Sequence, residues 1–273
     1  MATNYSPNIV TDGLVCALDA ADKNSYPYPN LHPSGSNWYD LVQGGFKSGF
    51  PFDNGLSFAT DNDQGAAGAN TGSFVSEHGG GLHFTGSAEN HLIGFRTLAD
   101  DLGGLNTGGS SANFTYEVWL KFNQGDAVAG GGHIIGGNAR TDGLLRGANG
   151  NNSHLSIDGS GNLKAFTFNG GGSSDYDTGF DMAVGEVAQV GMVHTAETSK
   201  AGFKNGKVGA SESRWSTQNF AYLTLLGEHN EGGYFTQMDF PNMTLYVVRI
   251  YNRVLSAKEI KQNFNAQRNR FGL

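Results

Sequence analysis

Between Phe114 and Phe122 the chain reads FTYEVWLKF. Phe114, Tyr116, Val118, Leu120 and Phe122 take alternate positions, with Thr115, Glu117, Trp119 and Lys121 between them. A period of two held this long does not suit a helix, whose apolar positions recur every three to four residues. It predicts a strand with one apolar face. A strand cannot stand alone, so the chain must supply neighbours to pair with it and a second layer to cover that face.

Candidates for both are present. GLVCALDA (13–20), GGLHFTG (80–86), HIIGG (133–137), HLSID (154–158), LKAFTF (163–168), VAQVGMVHT (187–195), AYLTLLG (221–227) and MTLYVVRIY (243–251) read as strands between Gly, Asn, Asp and Ser clusters that suit turns. Glycine is 42 of 273 residues, about twice its ordinary share. It shows no three-residue period, which excludes collagen. Eighteen Phe, ten Tyr and three Trp supply a core, which excludes a disordered linker. Each interior glycine costs a helix about 1 kcal/mol, so a mostly helical chain is excluded too. The expectation is an all-β, antiparallel two-sheet sandwich over residues 1–273 as a single domain. Asn205-Gly206 predicts a type I′ hairpin, because both central residues need positive φ. One short C-terminal helix follows from Ser256-Ala257-Lys258-Glu259, a capping box, with Ile260 and Phe264 as its apolar stripe and Gly272 as its stop. Trp38 and Trp119 are expected to dominate the core. Residues 42–80 and 97–113 are glycine-rich and weakly periodic, and are read as long loop insertions that form contacts; deleting 60–79 is expected to spare folding.

Charge narrows the function. Net charge is −8, and the 17 Lys and Arg are thinly spread, so a nucleic-acid partner is not expected. No apolar run approaches the roughly 20 residues of a membrane span. Cys16 is the only cysteine, so no internal disulfide is available, and the N-terminus shows no secretory leader. Synthesis in a reducing cytoplasm is expected, and the Asn-x-Ser/Thr triplets at Asn4, Asn113, Asn151 and Asn242 are then chance matches. The eight His show no metal-ligand spacing, and His83 and His194 are read as satisfied sheet residues. Two carboxylate pairs in loops, Asp61 with Asp63 and Asp175 with Asp177, are the nominees for calcium if any metal is bound. Trp215 and Tyr234, aromatics in polar surroundings, are the nominees for a glycan platform. No other cofactor is expected.

In their order, Asp12-Gly13-Leu14-Val15, Trp38-Tyr39-Asp40-Leu41, Gly81-Leu82-His83-Phe84, Phe114–Trp119, Phe203-Lys204-Asn205-Gly206-Lys207 and Val248-Arg249-Ile250-Tyr251-Asn252-Arg253-Val254-Leu255-Ser256 resemble the concanavalin A-like lectin/glucanase superfamily. The form is the laminin-G-like one found in virion proteins of tailed phages, notably cyanophages. The resemblance implies a jelly-roll sandwich with its termini close together. It implies no catalysis here: the glucanases' Glu-x-Asp-x-Glu strand is absent, and the closest pair, Glu228 and Glu231, is placed in a glycine-rich loop. Tyr251, Asn252 and Arg253 are read as packing and capping residues.

The expected function is therefore that of a non-enzymatic virion structural protein made in a bacterial host. It would sit on the virion surface as a capsid decoration, binding other capsid or tail proteins and copies of itself. The alternative is a carbohydrate-binding adhesion module for cell-surface glycans, with polysaccharide hydrolysis a remote third reading.

Overall fold

The computed structural model describes residues 7–26, 37–38, 40–42, 56–57, 73–84, 93–96, 113–124, 132–139, 151–158, 160–169, 172–196, 198–212, 222–225, 228–229, 235–236 and 242–273. In chain order the elements are β1 (Leu14–Asp19), β2 (Asn37–Trp38), β3 (Leu56–Ser57), β4 (Ser73–Val75), β5 (Gly81–Phe84), β6 (Ile93–Arg96), β7 (Phe114–Gln124), β8 (Gly132–Ala139), β9 (Asn151–Ile157), β10 (Asn162–Asn169), β11 (Gly172–Asp181), β12 (Val187–Thr195), β13 (Ser199–Lys204), β14 (Lys207–Glu212), β15 (Tyr222–Leu225), β16 (Glu228–His229), β17 (Phe235–Thr236), β18 (Asn242–Tyr251) and α1 (Ala257–Gln267). The first sheet runs β14-β13-β12-β7-β18-β5-β4, and the second runs β11-β10-β9-β8-β15-β6-β3-β2. β5 pairs with Met243–Leu245 of β18, and β1 takes the rest of that edge from Val247 to Tyr251. All these pairings are antiparallel, giving a jelly-roll sandwich with one short C-terminal helix.

The alternation in β7 decides what lies between the sheets. Phe114, Tyr116, Val118, Leu120 and Phe122 enter a common core with Leu155, Ile157, Leu163 and Ala165 of the second sheet. Trp38 is buried in that core as expected, but Trp119 is not part of it. Trp119 belongs to the opposite face of β7, where its ring stacks on Phe271 at 4.4 Å and faces Phe264 at 5.8 Å. That outer face is dry because α1, the tail behind it and the N-terminal segment lie across it.

Glu117 and Arg249 are trapped beneath this cover, 1% and 4% exposed, with Arg249 Nη1 donating to Glu117 Oε1 at 2.7 Å. The same carboxylate accepts from Trp119 Nε1 (3.2 Å) and from Asn263 Nδ2 (2.6 Å). Asn263 also accepts from the Val10 amide, and Tyr251 donates its hydroxyl to the Val10 carbonyl. Arg253 bonds the Asp12 carbonyl and the Glu259 carboxylate. Tyr251 and Arg253 are thus packing and capping groups, as the sequence implies. The capping box of Ser256 and Glu259 forms, and Gly272 ends the tail at φ 74°. Asn205 (φ 48°) and Gly206 (φ 76°) make the hairpin turn between β13 and β14, whose tip packs against Lys261 and Phe264 of α1.

Several expectations are corrected. Asp175 and Asp177 are not in a loop: Gly172–Asp181 is a strand at the end of the second sheet, paired among the described residues with β10 alone. An edge strand needs one partner and tolerates Gly, Ser and Asp, since charge on an edge deters unwanted pairing. Glu228 lies in β16, paired with β17, rather than in a loop. The 42–80 stretch is not purely loop either, since it contains β3, β4 and a 3₁₀ turn at Glu77–Gly79. Phe74 of β4 stacks on Tyr26 at 5.7 Å, so the deletion of 60–79 expected to spare folding would remove structure that packs against the core.

Candidate functional site

Beyond the reach of α1, the outer face of the first sheet turns polar. Three neighbouring strands contribute to it: β5 gives His83, β7 gives Lys121 and Asn123, and β18 gives Thr244. The register places His83 opposite Thr244 and Thr244 opposite Lys121. His83 Nδ1 lies 3.1 Å from Thr244 Oγ1 and 3.1 Å from Asn123 Nδ2, and Asn123 Nδ2 also donates to Thr244 Oγ1 at 3.1 Å. An amide N–H on Nδ1 requires a lone pair there, so the network puts the ring proton on Nε2. Burial, with a contribution from the Lys121 charge, holds the His83 pKa below its usual value, so the ring is neutral at neutral pH. A half-buried imidazole is thereby held in one tautomer, with Nε2–H left as a donor.

The flank of this patch is braced from the turn before β5. Lys121 Nζ donates to both Glu77 carboxylate oxygens, at 2.9 and 3.0 Å. The Lys121 hydrogen bond holds the Glu77 carboxyl below its ordinary range. Tyr246 adds its hydroxyl at 3.3 Å, and burial pushes that phenol well above its usual range. His78 stands at φ 52°, ψ 32°, a left-handed conformation seldom adopted outside glycine. Its ring sits edge-on to Tyr246 and against Phe271. Arg270 of the tail donates to the His78 and Gly80 carbonyls and binds Asp19 at 2.9 Å, fixing this turn to the body.

Among the described residues, the groups of this patch are engaged with one another. The Thr244 hydroxyl is buried and engaged with His83 and Asn123, and Glu77 is held deprotonated by Lys121. Glycoside hydrolysis by two carboxyl groups needs one kept protonated as an acid. Asp158 and Asp177 come together around Lys164, at 3.8 and 3.0 Å, but both are held low. At Asp158, burial acts to raise the pKa and is outweighed by hydrogen bonds from Asn162 and Ser160. At Asp177, the Gly179 amide and then Lys164 lower it. Asp40 is pushed up to about 6 by burial, yet it is enclosed, bonded to the Ala17 and Val42 amides.

Of the residues nominated from sequence, Asp61, Asp63, Trp215 and Tyr234 lie outside the described residues. Asp175 sits in β11 opposite Phe166, and Asp177 opposite Lys164, whose ammonium takes its carboxylate. Among the described residues no group of three or more His, Cys, Asp or Glu is placed to hold a metal. His83 and His194 are satisfied sheet residues as read: His83 through Nδ1, His194 stacked on Phe114 at 4.7 Å. Nothing in the sequence marked His83, Asn123 and Thr244 as a group, because they are 40 and 121 positions apart and only the sheet order joins them.

The sequence model of the concanavalin A-like lectin/glucanases superfamily, in its laminin-G-like class, matches residues 99–261. Among solved structures, Trypanosoma rangeli sialidase in complex with sialic acid is similar over 98% of this chain and 36% of its own, with a TM-score of 0.59 at 14% identity. The binding domain of Paraclostridial Mosquitocidal Protein 1 matches over 93% of this chain and 52% of its own (TM-score 0.58, 15% identity). The Botulinum Neurotoxin Type G receptor binding domain matches over 94% and 52% (TM-score 0.57, 13% identity). The chain therefore spans between about a third and a half of these structures, and at such identity the likeness is one of fold. No curated protein matches it. With more than half of its length covered by the family match, the chain belongs to the concanavalin A-like lectin/glucanases superfamily.

Proposed function

We propose that this chain is a non-enzymatic binding module whose ligand is a neutral, hydroxyl-bearing surface such as a glycan. The observation that carries the reading is the neutral His83, held at Nδ1 by Thr244 and Asn123 so that Nε2–H is left as a donor. A fixed neutral N–H donor on a polar sheet face suits a hydroxyl, which can accept a hydrogen bond without carrying charge. The Lys121–Glu77 pair cancels its own charge, so the patch selects for neither anions nor cations. The named binding domains among the structural neighbours support the reading by fold alone. The test is ¹⁵N-imidazole NMR during titration with mixed oligosaccharides. Perturbation of the His83 Nε2 resonance, lost in Asn123→Ala, is expected; a resonance unmoved at millimolar sugar overturns it.

A finer reading places the module on a tailed-phage virion, where it would bind shell or tail proteins and its own copies as a decoration protein. It rests on the ordered sequence motifs, above all Val248–Ser256 and the terminal phrases. Calcium at Asp61 and Asp63 belongs to this reading as a further proposal. Mass spectrometry of purified virions tests it: the protein is expected in the particle, and its absence there ends the idea.

A further inference from the structure

The hydrogen bonds that fix His83 as a neutral ring cannot all survive its protonation. His83 Nδ1 lies 3.1 Å from Thr244 Oγ1 and 3.1 Å from Asn123 Nδ2. Thr244 suits either state of the ring, because a hydroxyl both donates and accepts. Asn123 does not, because an amide nitrogen is a donor only. Once Nδ1 carries a proton, two donors face each other at 3.1 Å, and the amide must turn away. The bond from Asn123 Nδ2 to Thr244 Oγ1 is then contested by the new ring N–H.

Among the described residues few charges surround the ring. β7 brings Lys121, β18 brings the uncharged Thr244, and β4 sets Ser73 opposite His83. The turn before β5 brings Glu77, which takes the Lys121 ammonium at 2.9 Å, and His78, which sits against Tyr246 and Phe271 instead. Burial first, then Lys121, holds the His83 pKa below its usual value. Because Lys121 and Glu77 already cancel, a proton on His83 adds one positive charge that no described carboxylate of the patch is left to match. Its Nε2–H becomes a charged donor, and a charge-assisted bond to a carboxylate is about twice as strong as a neutral one. We propose that the patch changes ligand class on acidification: neutral His83 takes a hydroxyl, and protonated His83, let go by Asn123, takes the carboxylate of an acidic sugar. This rests on the glycan reading and adds the proton as its regulator.

Calorimetric titration of the full chain with glucuronate and with methyl glucoside tests it, at about pH 8 and about pH 5, on either side of the usual imidazole range. Glucuronate is expected to bind at least about tenfold more tightly at the lower pH, a difference of roughly 1.4 kcal/mol. His83→Gln, which keeps an N–H donor that takes no proton, should remove that gain. Imidazole NMR of the same chain supplies a second readout. Asn123→Ala should raise the His83 titration midpoint, because a bond that favours the neutral ring is gone. Saturating glucuronate should raise it in the wild-type chain by linkage. Glucuronate that fails to bind at the lower pH, or binds equally at both, overturns the inference. So does a gain that survives His83→Gln, or a midpoint unmoved by Asn123→Ala. Methyl glucoside that fails to bind at the higher pH, beside glucuronate that binds at the lower, overturns the neutral-glycan reading alone and supports the protonated site.

Discussion

Glu117→Ala is the sharpest test of how the C-terminal helix is held. Glu117 and Arg249 are 1% and 4% exposed at the side chain and meet at 2.7 Å. Removing the carboxylate strands a buried guanidinium and strips the acceptor from Trp119 Nε1 and from one hydrogen bond of Asn263. Breaking a buried pair from one side costs about 3–5 kcal/mol. For a chain of this length that corresponds to a fall in Tm of roughly 6–10 °C. Replacing both partners with apolar residues of similar volume, Glu117→Leu/Arg249→Met, removes the stranded charge. It should recover most of the loss, leaving a deficit of about 1–2 kcal/mol for the orphaned Trp119 and Asn263 donors. Urea unfolding followed by tryptophan fluorescence is apt, because Trp119 lies inside the cluster. Two results would refute the reasoning: a single-variant cost below about 1 kcal/mol, as for an exposed pair, or a double variant as unstable as the two singles summed.

Other outcomes follow from single sites. Asp40, with its carboxyl raised to about 6 in the fold against 3.8 as a free group, binds protons more tightly when folded. Stability from this site is complete below pH 3.8 and is lost as pH rises through about 6, by roughly 3 kcal/mol. Asp40→Asn should remove that slope, visible as the difference between variant and wild-type chemical unfolding from pH 4 to 8. Glu259, held at about 2 by Arg253, behaves oppositely: its contribution is present above 4.5 and fades as pH falls through about 2. The deficit of Glu259→Gln, measured by circular dichroism melts, should therefore be largest at neutral pH and vanish near pH 2. Gly191→Ala would place a Cβ 2.2 Å from the Tyr116 carbonyl and 2.0 Å from the Phe203 ring, so no soluble folded protein is expected. Deletion of 60–79, which removes Phe74 and Glu77, should lose at least several degrees of Tm, read by circular dichroism.

What was legible in the sequence was whatever local chemistry alone decides. The β7 alternation, the Asn205-Gly206 turn and the Ser256–Glu259 box each need only neighbours in sequence, and each formed. β11 was missed because its first half, Gly172–Asp175, is small and polar, and its inward alternation of Tyr176, Thr178 and Phe180 holds only two apolar residues, far fewer than β7. The placement of Trp119 was missed because alternation assigns one face of β7 to the core and is silent about what covers the other. Only the fold reveals that the helix buries Thr115, Glu117 and Trp119 as completely as the sandwich buries Tyr116. The candidate site was illegible for the same reason in a stronger form. His83 carried a correct local reading as a satisfied sheet residue, but its partners come from β7 and β18, and its tautomer depends on both.

The central claim is that His83 and Asn123 bind a ligand rather than merely decorate a sheet. A glycan array probed with the wild-type chain and with His83→Ala, in calcium-containing buffer, tests it most directly. The account predicts a set of wild-type signals that fall at least about tenfold in the variant while its melting curve stays in place, as expected for the loss of roughly 1.4 kcal/mol or more of contact. An array silent for the wild-type chain, or signals unchanged by His83→Ala, would contradict it.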